Sequence, residues 1–342
     1  MEITNEEIIN NLKKAADIHY KVRNECRTYI KSNAKYYDIV KLYENCIKKY
    51  SDVNSGIAFP IGFSINNICA HDSSYYGDNR ILNKNDILKI DIGIHYNGYI
   101  IDSAQTIIVD NDDNIDEKTK KLINSTIDAT HIAIKNSGID VRLYELSELI
   151  YETINSYDNI TPIGILGGHN INKYIIHGGK LILCKPNEIQ NNMKMEENEI
   201  YAIETFASTG SGNLINLNNI THYKQKKNDK QTDKFMKLYD CKDYIKSRKG
   251  LPFNYDWILS NKYEKNKIEK NKIEKNQIEK NQIDKNQIEK IKKELNNLVK
   301  FDIIEHYPPL SDIDHKSLTS QLEHTIFVKE SGIINLSKFD DY

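Results

Sequence analysis

The chain has no run of 18 apolar residues, which excludes a membrane-spanning helix of ordinary length. Its first residues lack the basic stretch followed by an apolar segment that marks a secretory leader, so a cytoplasmic location is expected. Cysteine is sparse and unpatterned: the five, at 26, 46, 69, 184 and 241, are an odd number without a Cys-x-x-Cys spacing. Reduced thiols are expected, not a disulfide framework. Charge of either sign is not in excess, since 47 Lys and Arg stand against 49 Asp and Glu for a formal net charge of -2. Neither a nucleic-acid footprint nor attraction to a membrane surface follows from that balance. A phosphate-binding loop is missing too. Gly178-Gly179-Lys180 is followed by Leu181, where such a loop needs Ser or Thr, and the upstream glycine spacing fails.

What the chain has is four carboxylates and a histidine in short apolar or glycine-rich frames. These are KIDIG around Asp91, YIIDSA around Asp102, GGHNI around His169, YAIETF around Glu204 and QLEHT around Glu323. Four of the frames place an ionisable group inside a strand-like run, where an unpaired charge costs several kcal/mol. A bound cation offsets that cost, and carboxylates bridging two divalent ions roughly 3.5 to 4 Å apart suit metal-assisted hydrolysis. Ordinary strand ends or structural ion pairs are the bland alternative for any one of the five. Asp91 and Asp102 flank His95-Tyr96-Asn97-Gly98, which predicts two antiparallel strands joined by an Asn-Gly turn with both aspartates close together.

With 342 residues and 39% hydrophobic content the chain can bury a large core, as one big domain or two ordinary ones. Thr4-Asn5-Glu6-Glu7 has the form of a capping box, and Ile8, Leu12, Ala15, Ala16, His19 and Val22 follow a helical period. Strands are expected from 56 to 110, helices over 116–137 and 140–156, and strands again from about 160 to 207; two strand-then-helix halves make an α+β pattern. Residues 264–288 read EKNKI, EKNKI, EKNQI, EKNQI, DKNQI. A five-residue period places successive isoleucines roughly 140° apart on a helix and on opposite faces of a strand, so no apolar stripe forms. A solvated low-complexity insertion is expected there.

The segments GIAFPIGFSINNICAH, KIDIGIHYNGYIIDSA, GGHNINKYIIHGGK, YAIETFASTG, HYPPL and QLEHT, in this order, resemble the signatures of the type 2 methionine aminopeptidases. The resemblance covers nearly the whole chain. It implies a pita-bread fold, in which two pseudo-symmetric halves form a curved antiparallel sheet. It also implies a single catalytic domain over 1–342, with a helical insertion over 224–306 that contains the repeat. Two divalent ions, from Co, Mn, Fe or Zn, are implied, and hard oxygens with one imidazole favour Mn, Fe or Co. By the same resemblance Asp91 ligates one ion, His169 and Glu204 the other, and Asp102 and Glu323 bridge both.

The resemblance further implies that Glu204 shuttles protons and His177 stabilises the tetrahedral intermediate. His71 matches the histidine that contacts substrate near the scissile amide and that fumagillin-type epoxides alkylate. Phe59, Ile176, Phe206, His222 and Tyr307 match the walls of the methionine pocket; on their own they would read as core aromatics and apolar residues. One departure stands out: Gly167-Gly168-His169 replaces the family's Asn-Gly-His, removing a polar group near the pocket but no ligand. Nascent polypeptide N-termini are the implied partner and a monomer the implied state, with the ribosome a further candidate partner. Family members from higher eukaryotes carry a charged block before this domain, whereas only a few residues precede the first helix here, so ribosome tethering through such a block is not expected. An Xaa-Pro peptidase of the same fold is disfavoured, because such enzymes usually carry another N-terminal domain and this chain reaches Gly56 after two helices. A non-catalytic relative that binds RNA or ribosomes is disfavoured because all five ligand types, His71 and His177 are intact.

Overall fold

The computed structural model describes residues 4–111, 115–226, 229–261 and 285–337. The chain divides into two compact units, one of Met1–Asn219 with Pro308–Tyr342 and the other of Ile220–Tyr307.

In the first unit, α1 (Asn5–Arg27) starts at Thr4, whose hydroxyl accepts the Glu7 N–H at 3.3 Å, the Thr half of the expected capping box. Its apolar stripe of Leu12, Ala15 and Val22 is buried against the strands that follow. After α2 (Tyr36–Tyr50) come β1 (Ser55–Ile57), β2 (Gly62–Ile65), β3 (Ile68–Ala70), β4 (Ile87–Tyr96) and β5 (Tyr99–Ile108). Strands β4 and β5 form the expected hairpin. Asn97 and Gly98 both have positive φ, the backbone of a two-residue turn whose twist suits a hairpin. Strands β1 and β2 share the other edge of β4.

The second half repeats the plan. Helices α3 (Glu117–Lys135) and α4 (Leu143–Asn155) precede β6 (Thr161–Pro162), β7 (Gly167–Ile171), β8 (Leu181–Leu183), β9 (Ile200–Ser208) and β10 (Leu214–Asn216). The second unit contributes β11 (His222–Gln225), paired with β12 (Ile304–Tyr307), and then the first unit resumes with β13 (Leu310–Asp312), β14 (Thr319–Lys329) and β15 (Gly332–Asn335). These build a six-stranded antiparallel sheet in the order β15-β14-β9-β7-β8, with β6 on β9, and a smaller sheet in which β13 lies between β10 and β3. Leu122 and Ala129 of α3 and Leu146 and Ile150 of α4 pack on Tyr201, Ile203 and Ile326 of the larger sheet. Each of these Leu and Ile side chains contributes about 1.5–3 kcal/mol on burial.

The four-stranded sheet of β1, β2, β4 and β5 meets the six-stranded sheet where β5 runs beside β14, joined by hydroxyls. Thr325 Oγ1 accepts from Asp102 N–H at 2.8 Å and donates to Asp102 C=O at 2.6 Å. Ser103 Oγ donates to Glu323 C=O, and Thr106 Oγ1 to Gln321 C=O. The stitch therefore runs through the two residues expected to bridge the ions.

In the second unit, helix Lys285–Lys300 buries Ile291, Leu295 and Leu298, one stripe at helical spacing. The 264–284 part of the repeat lies outside the described residues; its last residues, 285–288, begin this helix on exposed or half-buried positions. Among the described residues no helix is long and apolar enough to cross a membrane. All five cysteines are buried free thiols.

Candidate metal centre

Alternation along five strands brings the five expected ligands to one place. Asp102 faces Gly93 across the hairpin and Asp91 faces Ala104, so the aspartates are diagonal neighbours on one face. In the larger sheet Glu323 of β14 stands directly opposite Glu204 of β9, and His169 of β7 opposite Ala202, two residues from Glu204 on the same face. The β5–β14 stitch closes the set.

Ligand atoms of Asp102, His169 and Glu323 lie within 4.8 Å of one another, and all three residues are buried. His169 Nε2 is 3.7 Å from Glu204 Oε1 and 3.9 Å from Asp102 Oδ2. Its Nδ1 lies 3.4 Å from the Asn170 carbonyl, an arrangement that directs Nε2 toward the carboxylates. Asp91 and Glu204 keep some solvent access.

This crowding sets the electrostatics. Loss of hydration pushes Asp91 up to about 7, opposed by hydrogen bonds from Asp102 and Gln321. Asp102, Glu204 and Glu323 rise well above the usual carboxylate range, first through burial and then through their neighbours' charges. Three buried oxygens, Asp91 Oδ1, Asp102 Oδ1 and Glu323 Oε2, meet no protein hydrogen-bond donor. Hard oxygens without donors, set against one imidazole nitrogen, are the donor set that a divalent cation fits.

His177 follows β7 and its ring stands perpendicular to that of His169, centroids 4.3 Å apart. Ile176 beside it is buried. Phe59 lies over Gly93, where an added Cβ would meet the ring at 2.1 Å, so only glycine leaves room for the ring two residues from Asp91. Phe206 follows Glu204 on the same face of β9 and pairs with Gln321. His71, just after β3, has φ 62°; withdrawal from water lowers its pKa to about 4. His222 and Tyr307 face one another across β11 and β12 of the second unit. Gly167 has φ 153°, and a Cβ there would stand 2.2 Å from the Ile182 carbonyl and 2.7 Å from Leu183 Cα. The space for an asparagine side chain at this position is filled by β8.

Two contributors were not anticipated. Gln321 donates to Glu204 Oε2 at 3.2 Å, and Thr325 holds the Asp102 backbone. Both sit two residues from Glu323 on its strand face, so period-two alternation in QLEHT carried the signal.

The metallopeptidase family M24 model matches residues 10–227. Methionine aminopeptidase 2 of Kluyveromyces lactis is 35% identical over 98% of this chain and 77% of that protein. Among solved structures, a thermophilic Arx1 superposes with TM-score 0.75 at 19% identity, covering 98% of this chain and 92% of that one. The methionine aminopeptidase of Thermotoga maritima superposes with TM-score 0.63 at 19% identity, covering 98% of each chain. These superpositions establish the pita-bread fold. By its family match and its sequence relatives, the chain belongs to metallopeptidase family M24 and, within it, to the methionine aminopeptidase 2 group.

Proposed function

We propose that this chain hydrolyses the first peptide bond of nascent polypeptides, releasing the initiator methionine when the second residue is small. The observation that carries the reading is the convergence of Asp91, Asp102, His169, Glu204 and Glu323 from five strands, with three buried oxygens lacking protein donors. Asp91 would hold one cation, His169 and Glu204 a second, and Asp102 and Glu323 both. When bound, such a pair lowers the pKa of water and polarises a carbonyl.

The chain's own groups supply the rest. Glu204 takes the proton of the attacking water and returns it to the leaving amine. Gln321 holds Glu204 Oε2 and so fixes which oxygen is used. His177, braced against the His169 ring, donates toward the oxygen on which charge develops. His71 is a neutral imidazole at pH 7 and contacts the scissile amide. Asp91 receives the free α-amino group, which limits cleavage to the N-terminal residue. Phe59, Ile176 and Phe206 receive the methionine side chain. For His222 and Tyr307 as substrate contacts, the support is the resemblance. Buried reduced thiols suit a cytoplasmic enzyme.

The test is release of methionine from Met-Ala-Ser and Met-Gly-Met with Mn or Co added, and with Met-Leu-Ser as the large-residue control. Release from the first two alone is expected. No turnover with any divalent ion sinks the reading.

A further inference from the structure

His71, with φ 62°, holds a left-handed backbone conformation that L-residues avoid. Such a conformation persists only where both flanks are tied down. On one side Ala70 pairs with Leu310. On the other, Asp72 is fixed at every polar group: its N–H donates to Ser64 Oγ at 3.4 Å, its C=O accepts the Phe63 N–H at 2.8 Å, and its carboxylate accepts the Ser73 N–H at 2.9 Å.

The remaining Asp72 contacts come from Arg80. Its Nη1 donates to Asp72 Oδ2 at 2.5 Å and its Nη2 to Asp72 Oδ1 at 3.3 Å. The same guanidinium donates from Nε and Nη2 to Asp78 at 2.9–3.1 Å and from Nη2 to the Ser73 carbonyl at 3.0 Å. Both carboxylates are 2% exposed, so this fork is their countercharge. Arg80 is itself anchored: its C=O accepts the Tyr36 N–H at 3.0 Å, and its guanidinium carbon lies 4.3 Å from the Tyr36 ring centroid. The Tyr36 ring meets Phe63 edge-on at 4.8 Å, and Phe63 is the residue after Gly62, which pairs with Asp91. A closed circuit thus runs from Arg80 through α2 and β2 back to Asp72, with His71 at its edge.

We infer that Arg80, by clamping Asp72 and Asp78, is a positioning residue that holds His71 for the reaction. The inference rests on the proposed contact of His71 with substrate. Misplacement of a reacting partner by 1 Å can cost about 10²-fold in rate, so loss of the clamp should appear in kcat.

The test is a double-mutant cycle of Arg80→Met with His71→Ala, measured on Met-Ala-Ser with saturating Mn. Arg80→Met in the native background is expected to lower kcat at least about tenfold, with KM within about twofold and Mn binding unchanged. In the His71→Ala background the same change is expected to cost less than about twofold. An equal loss in both backgrounds, or no loss in the native one, overturns the inference. If Arg80→Met does not fold, Asp72→Asn replaces it in the same cycle, keeping Arg80 on Asp78 while weakening the hold next to His71. Full activity of His71→Ala alone instead overturns the role proposed for His71.

Discussion

At Glu204 two requirements meet: a carboxylate that ligates and a base that moves a proton. Its Oε1 faces His169 and its Oε2 takes a hydrogen bond from Gln321, so its two oxygens are chemically distinct. Glu204→Gln is expected to reduce kcat by about 10²–10⁴, the range of a lost general base, in a variant that still folds. A kcat within tenfold of the native value would remove Glu204 from that role. The carboxyls also set a stability signature. A carboxyl whose pKa is raised on folding holds its proton more tightly in the native state, so its stabilisation is complete below the unfolded pKa and lost as pH rises through the folded value. For Asp91 that window runs from 3.8 to about 7, and the other three carboxyls extend it upward. Chelator-stripped protein should therefore lose thermal stability as pH climbs through this window, and Mn should raise Tm more near its upper end. Thermal melts across pH check this; a Tm that climbs with pH in stripped protein contradicts it.

At the level of elements, the β5–β14 stitch joins the two sheets through Asp102 and Glu323. Thr325→Val keeps the shape but leaves the Asp102 N–H and C=O buried without their partner, at about 1–3 kcal/mol per group. Denaturant melts should show that loss, with weaker Mn binding; unchanged stability would mean the stitch is dispensable. Gly167→Asn should destabilise too, because β8 fills the space and φ is 153°. Much of this element-level order was legible in advance. The helical stripe of α1, the Asn-Gly hairpin and the strand frames of four of the five ligands depend on local periodicity and turn chemistry. The positions of Gln321 and Thr325 were encoded by alternation but carry no ionisable signal. Arg80 was invisible, since its partners Asp72 and Asp78 matter only once the loop has closed on α2. The tight fit of Gly167 against Ile182 is likewise a long-range consequence of strand pairing.

For the molecule as a whole, the ligands come from residues 91 to 323 and converge only when both halves have folded. The repeat within 264–288 stands apart from that requirement. Its period gives no apolar stripe, whereas Ile291, Leu295 and Leu298 just beyond it do form one. Deleting 264–284 is expected to leave kcat/KM on Met-Ala-Ser within about twofold, because a five-residue period makes no apolar stripe; a large loss would give the repeat a role in catalysis.

The proposed chemistry requires a site for two cations. Calorimetric titration of chelator-stripped protein with Mn tests that requirement most directly, run in two buffers of different ionisation enthalpy. Two bound ions per chain are expected, with protons released on binding at neutral pH because carboxyls of raised pKa must ionise to ligate. Asp102→Ala should abolish both binding events. Binding of a single ion or none by the native chain, or an Asp102→Ala isotherm identical to the native one, contradicts it.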